Sequence, residues 1–305
     1  MTNDLPILRL PHTLNYVAAF ITMQCHLSCK YCINSNDANA NRRQLFNAPC
    51  STLAPDEWIK IINRIPLRDD LPVTLCGGEP LLYTELRHVL DKCNHYFDLL
   101  TALPLSAKTT ASRIGNNAYK FQRPSPYPAI RVSYHPEQNN YDNLVAKCLA
   151  LSDYGFFVSD DKPFTNVGIW MVAHPDNPLP APQSDVYFEL KPFLGVHGGE
   201  THGTYVYPDS IDAPVTRTCE CKTSELLIDP LGRVFQCHAY LYNHWLGREG
   251  YDPIGSMLDP KFTMDVVDQF RTCNKYGQCS PCDVKLKTNR FQEFGHASVE
   301  IKEIR

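Results

Sequence analysis

No apolar run in this chain approaches the roughly 18 residues that a membrane-crossing helix needs, so no helical span is expected. Residues 1–11 carry Asp4 and Pro6 and no basic segment leading into an apolar one, so no export signal is legible and a cytoplasmic location is expected. Dense Lys/Arg runs are missing too. With a formal net charge of −4, the chain lacks the basic footprint that marks docking on a nucleic-acid backbone. Internal repeats are absent. So is the apolar poverty of disordered chains: 43% hydrophobic and 20% charged residues describe an ordinary globular protein. Its 305 residues suffice for one large α/β domain, or for one domain with a smaller appendage.

Cysteine, by contrast, is plentiful. There are thirteen, and in a chain of this size without an export signal clustered cysteines more often bind metal than pair as disulfides. Nine fall in two groups, within 25–32 and 219–282. Of the other four, Cys76 on an expected buried strand, and Cys93 and Cys148 on expected helices, read as packing residues. Cys50, in a loop, receives no role. The first group is Cys25-His26-Leu27-Ser28-Cys29-Lys30-Tyr31-Cys32, spaced C-x3-C-x2-C. Three thiolates so placed can wrap one corner of an iron–sulfur cubane and ligate three of its irons. The fourth iron is then open to bind and activate a small molecule.

Residues 16–22 (YVAAFIT), just before this loop, read as a buried strand. In parallel α/β folds the C-terminal ends of strands are where ligands and catalytic groups collect. Residues 34–51 are polar, Asn-rich and without period, hence a loop. A helix is expected after Thr52 as N-cap, with Pro55, Asp56 and Glu57 in its first turn, Trp58, Ile61, Ile62 and Ile65 on its apolar face, and Pro66 as its stop. Further strands are expected at 72–76, 96–100, 129–134, 167–173 and 186–194, with helices at 81–93 and 141–151 and a Pro-rich connection at 174–182. Gly77-Gly78-Glu79-Pro80 follows the second strand; glycines there permit close backbone approach, and alone the tetrapeptide is more often a turn than a site. His135 is equally a substrate contact or a plain turn residue before Pro136.

The C-x3-C-x2-C spacing with an aromatic, Tyr31, before the last cysteine resembles the radical S-adenosylmethionine (radical SAM) family, and Gly77–Glu79 lies where that family keeps its GGE motif. The resemblance implies a partial (β/α)6 TIM-type barrel over residues 1–205. Cys25, Cys29 and Cys32 would hold a 4Fe–4S cluster that binds S-adenosylmethionine. Gly77, Gly78, Glu79 and Pro80 would receive the cofactor's amino group, Tyr31 its adenine, and Ser133, near the end of the fourth strand, its ribose or carboxylate. Relatives often carry Thr-Asn after the third strand; here it is Thr101-Ala102, which leaves that loop's contact open.

From about Thr216 the character changes. Two β-rich runs flank the Asp229-Pro230-Leu231-Gly232 turn, a hairpin with thiols near both ends: Cys219 and Cys221 before it, Cys237 after. Cys273-x5-Cys279-x2-Cys282 follows. Residues 206–305 thus resemble the twitch/SPASM extension of radical SAM enzymes, a small cysteine-rich hairpin and helix unit. Gly232 and Cys237 match its G-x4-C element, and twelve residues separate Cys219 from Gly232, ten Cys221. Either could be the first ligand; Cys219 is favoured, with Cys237, Cys279 and Cys282, and the part of Cys273 stays open. No cysteine follows Cys282, which implies one auxiliary 4Fe–4S cluster rather than two. His238 reads as a supporting residue.

Zinc is the competing reading. It usually takes four ligands in paired knuckles, which suits Cys25, Cys29 and Cys32 poorly, but spacing alone does not separate zinc from iron–sulfur in the tail. The family chemistry is reductive cleavage of S-adenosylmethionine to a 5′-deoxyadenosyl radical, fed by a donor such as flavodoxin or ferredoxin. The radical then abstracts a substrate hydrogen. An auxiliary cluster points to oxidative modification, dehydrogenation or bond formation, of a small molecule or a peptide. Only about fifteen residues precede the first strand, too few for a leader-binding domain ahead of the barrel. The alternatives are an activase or maturase acting on a partner protein, a peptide epimerase or crosslinking enzyme, and a non-catalytic metal-binding module.

Overall fold

A computed structural model describes residues 5–29, 31–32, 50–122, 127–158, 166–177, 179, 185–287 and 297–305. Its elements, in chain order, begin with β1 (Tyr16–Thr22), α1 (Pro55–Asn63), β2 (Val73–Gly77), α2 (Leu86–Lys92), β3 (Phe97–Thr101), α3 (Ala107–Ile114), β4 (Ile130–Tyr134), α4 (Tyr141–Ala150) and β5 (Val167–Ala173). Then come β6 (Phe188–Pro192), β7 (Gly195–His197), β8 (Glu200–His202), β9 (Arg217–Thr223), β10 (Glu225–Ile228), β11 (Arg233–Phe235) and α5 (His238–Trp245). The last are β12 (Gly255–Ser256), β13 (Arg271–Tyr276), α6 (Pro281–Val284) and β14 (Val299–Lys302).

Nine strands form one sheet in the order β12-β11-β10-β1-β2-β3-β4-β5-β6. All pairs from β10 to β6 are parallel; β11 and β12 are antiparallel additions at one edge. The fold is therefore α/β with a large, mostly parallel central sheet. Parallel strands buried on both faces need continuous apolar runs, and β1 supplies one: six of its seven residues are buried. Alternate residues serve different faces. Val17, Ala19 and Ile21 pack with α1–α4, whereas Ala18 and Phe20 pack with Cys76, Leu227, Phe235, and Leu241 and Tyr242 of α5. On α1, Trp58, Ile61 and Ile62 are fully buried, each worth about 1.5–3 kcal/mol of apolar transfer.

The six expected strands are all present as β1–β6. The hairpin expected around Asp229 is also present, as β10 and β11, but β10 pairs with β1, so it extends the central sheet. Two smaller sheets, β13-β9-β14 and β7-β8, went unanticipated.

Two expectations are corrected. Thr52 does not cap α1: its hydroxyl donates to Ile21 O (2.6 Å), and Ala54 is the cap, its N–H donating to Glu57 Oε2 at 3.0 Å. The single helix expected over 81–93 is a 3₁₀ turn, Pro80–Leu82, and then α2, because Tyr83 between them is extended. The loop expected over 34–51 lies outside the described residues except for Cys50 and Ser51, as does most of the stretch 178–184. Cys93 and Cys148 are buried packing residues, as expected, and Cys76 packs beside Phe20. Among the described residues no helix is long and apolar enough to cross a membrane.

Candidate functional site

The chain leaves β1 through Met23 and Gln24 into the cysteine loop, whose residue Lys30 lies outside the described residues. Cys32 N–H donates to Cys29 O at 3.3 Å, closing a tight turn, and Leu27 N–H reaches Cys25 Sγ at 3.4 Å. Cys25, Cys29 and Cys32 are close enough for each to feel another's charge. Burial pushes the Cys25 thiol up to about 11, with Glu79 and Cys32 adding to it. Burial likewise pushes Cys29 up to about 12, with Cys32 and Cys25 adding. Two desolvated thiols, Cys25 and Cys29, that resist ionising beside a third, Cys32, are a set that a cationic centre relieves, because metal binding displaces thiol protons. These residues fit an iron–sulfur group. Cys50, given no role by sequence, accepts from Met23 N–H and contacts the Thr22 hydroxyl, both at 3.2 Å, at the root of the loop.

The adjacent strand β2 ends at Gly77-Gly78. Their lack of a side chain is forced by protein rather than by ligand. A Cβ on Gly77, at φ +123°, would lie 2.1 Å from Thr22 O, and one on Gly78 2.3 Å from Gln24 O. That close approach lets Gly78 N–H donate to Thr22 O and Glu79 N–H to Gln24 O, both at 2.8 Å, strapping the end of β2 to the root of the cysteine loop. Pro80 opens the 3₁₀ turn that follows. The Glu79 carboxylate is buried. Oε1 accepts from Leu81 N–H (3.0 Å) and the Thr101 hydroxyl (2.6 Å), and Oε2 accepts from Ala102 N–H (2.7 Å). Thr101-Ala102 therefore serves Glu79. An ionised carboxylate offers about four acceptor sites, so Oε2 retains one for a further donor. Burial raises the Glu79 pKa to about 7, against the hydrogen bonds from Thr101, Ala102 and Leu81.

Across the strand ends, Tyr31 meets His135, just after β4, and His174, just after β5. Its hydroxyl is 3.2 Å from His135 Nδ1, and its ring stacks on His174 with centroids 5.0 Å apart. Phe193, His197 and His202 continue the cluster. Burial lowers His135 to about 4 and also lowers His174. His135 is thus more than a turn residue. Ser133 lies on the half-buried face of β4, two residues before His135. His174, His197 and His202 were missed by sequence reasoning; a His-x-Asp at 174–176 and two further histidines within eight residues of each other from 195 were the available signal.

In the C-terminal third, β9 carries Cys219 and Cys221 on its buried face, and Cys273 of β13 pairs directly opposite Cys219. Hydrogen bonds from Cys219 and Cys221 pull Cys273 well below the ordinary thiol value, and hydrogen bonding with Cys219, then Cys273, holds Cys221 up. Cys237, at the N-cap of α5, and Cys279 pack into the same cluster. The geometry brings Cys273 in beside the expected Cys219, Cys237 and Cys279. Cys282 instead senses Lys285, Lys287, Asp283 and Glu225. Among the described residues, the groups of three or more ligand atoms within 4.8 Å of one another are His174/Asp176/His197 and Glu225/His238/Asp283, and neither contains a cysteine. Cys219, Cys221 and Cys273 hydrogen-bond to one another, and Cys237 and Cys279 line the same buried cluster.

His238 pairs with two buried carboxylates in this region. Its Nδ1 lies 2.9 Å from Asp283 Oδ1 and 3.3 Å from Glu225 Oε2. Asp283 also accepts the backbone N–H groups of His238 and Ala239, both at 3.0 Å. No family model and no curated protein matches this chain.

Proposed function

We propose that the chain is a radical SAM enzyme, its six strands β1–β6 curling as a partial (β/α)6 barrel and its C-terminal third holding an auxiliary iron–sulfur cluster. One observation carries the reading: three neighbouring cysteines at the C-terminal end of β1, Cys25 and Cys29 of them desolvated, lie beside Gly78 and the buried Glu79 at the end of the neighbouring parallel strand. Ligands of parallel sheets collect at such ends.

Cys25, Cys29 and Cys32 would hold the first cluster. When bound, the cluster and S-adenosylmethionine supply reductive sulfonium cleavage and hydrogen-atom abstraction from an unactivated substrate carbon. The free acceptor position on Glu79 Oε2 suits the cofactor's ammonium. Tyr31, backed by His174, offers a face to the adenine, and Ser133 offers a hydroxyl from β4. Thiols drawn from Cys219, Cys221, Cys237, Cys273 and Cys279, enclosed by Tyr276, Val284 and Val299, would hold the second cluster in an apolar, water-poor setting. A second redox centre suits oxidative modification of a small molecule or a delivered peptide, with electrons from a flavodoxin- or ferredoxin-type donor in the cytoplasm.

Anaerobic reconstitution tests this. About eight irons per chain are expected, about four for each cluster, with 5′-deoxyadenosine formed from S-adenosylmethionine and dithionite. Cys29→Ala should lose about half the iron and all cofactor cleavage; cleavage retained in that variant sinks the reading.

A further inference from the structure

β5 ends at Ala173 and passes directly to His174 and Asp176, while the hairpin of β7 and β8, turning at Gly198 and Gly199, brings His197 and His202 back to the same spot. His197 Nε2 lies 3.1 Å from Asp176 Oδ1, and His174 Nδ1 lies 3.8 Å from Asp176 Oδ2. The Asp176 backbone N–H donates to His174 Nδ1 at 3.2 Å, a contact that a cation bound to that nitrogen would replace. One ligand atom from each of the three residues falls within a common 4.8 Å.

A cation bound tetrahedrally by nitrogen and oxygen at about 2.0–2.2 Å spaces its donors roughly 3.3–3.6 Å apart. The two measured separations bracket that spacing. His202 supplies an independent observation. Its Nε2 is buried with no hydrogen-bond partner, beside Phe193 and His197 and near enough to His174 for its charge to register there. Buried polar nitrogens normally have partners, and a metal ion is a partner that this imidazole lacks. Asp176 itself is 61% exposed in its side chain, so a cation has a path from solvent.

We propose that His174, Asp176 and His197 form a binding site for a divalent first-row cation, zinc foremost, with His202 as fourth ligand. Three imidazoles and a carboxylate form a donor set suited to zinc and distinct from the all-thiol groups elsewhere in the chain. The ion pins the β7–β8 hairpin over the ends of β5 and β6, next to Tyr31. This inference does not rest on the radical SAM reading.

The test uses the full chain, purified anaerobically, equilibrated with zinc and desalted. Zinc and iron are counted by mass spectrometry in the wild type, His197→Ala and Asp176→Asn, with circular dichroism to confirm folding. The wild type should hold one zinc equivalent more than either variant at equal iron content. X-ray absorption at the zinc edge should show a nitrogen/oxygen shell at about 2.0–2.1 Å for the lost equivalent. Equal zinc in all three proteins, or an exclusively sulfur shell at about 2.3 Å, overturns the proposal. A chain free of iron but carrying this zinc would defeat the radical SAM reading and leave the zinc site standing.

Discussion

Glu79 is a carboxylate taken wholly out of water, and its protonation has a consequence for stability. Burial raises its folded pKa from an ordinary 4.5 to about 7, so the native chain holds this proton more tightly than the unfolded chain does. That contribution is complete below pH 4.5 and is lost as pH rises through 7. A shift of this size corresponds to about 3 kcal/mol. In the cluster-free protein, Glu79→Gln should remove this decline: its urea midpoint relative to wild type should rise between pH 5 and pH 8. Parallel curves for the two proteins would show that the buried carboxylate does not titrate in this window. Residue identity at this scale was partly legible. The C-x3-C-x2-C spacing announces a metal loop because its ligands are neighbours in sequence. Nothing local announces that Thr101 and Ala102 serve Glu79, or that His174 and His197 meet, since those contacts are made by strands that only the folded sheet aligns.

Among the elements, legibility follows burial. β1, β2 and β5 were readable because parallel strands covered on both sides need near-continuous apolar runs, and β4 (IRVSY) because its apolar residues alternate with half-buried polar ones. β9 (RTCECKT) and β13 (RTCNKY) buried chiefly their cysteines and left charged residues outside, so no apolar run betrayed them. The helix expected over 81–93 failed for a different reason: apolar spacing continued through Tyr83 while the backbone there turned extended. α5 depends on a carboxylate that sequence placed elsewhere. Asp283, on α6, accepts the first two N–H groups of α5 and pairs with the buried His238. Asp283→Ala leaves those backbone donors unpaired in the interior and the imidazole with Glu225 alone, and should cost roughly 3–5 kcal/mol by chemical denaturation. Asp283→Asn, which keeps the acceptor oxygen, should recover part of that loss. An Ala variant within 1 kcal/mol of wild type, on the order of an ordinary surface change, would show that the cap and pair are dispensable.

At the scale of the molecule, the N-terminal two thirds and the C-terminal third share one core. Arg64, at the end of α1 and 1% exposed, donates to Pro6 O (2.9 Å), Met257 O (2.5 Å), Asp259 O (2.9 Å) and Phe262 O (2.9 Å). One guanidinium therefore ties the N-terminal segment to a loop about two hundred residues away in sequence. Arg64→Met fills similar space without donors and strands the carbonyls of Pro6, Met257 and Phe262, while Asp259 O keeps the Phe262 N–H, so it should destabilise the whole chain by roughly 3–5 kcal/mol. A single cooperative transition is expected in both proteins; a separately melting C-terminal third would contradict the shared core.

The pairing of β10 with β1 also bears on how the chain is made. Tyr16 sits opposite Glu225, and Val17 opposite Leu226. During translation, one edge of β1 stays without its partner until more than two hundred further residues have left the ribosome. At about 5–20 residues per second that interval is on the order of 10–40 seconds. Throughout it the nascent protein carries an unpaired, almost wholly apolar strand edge, the kind of template that recruits other chains into aggregates. Chaperone demand during synthesis is thus set by the late arrival of the hairpin that completes the sheet.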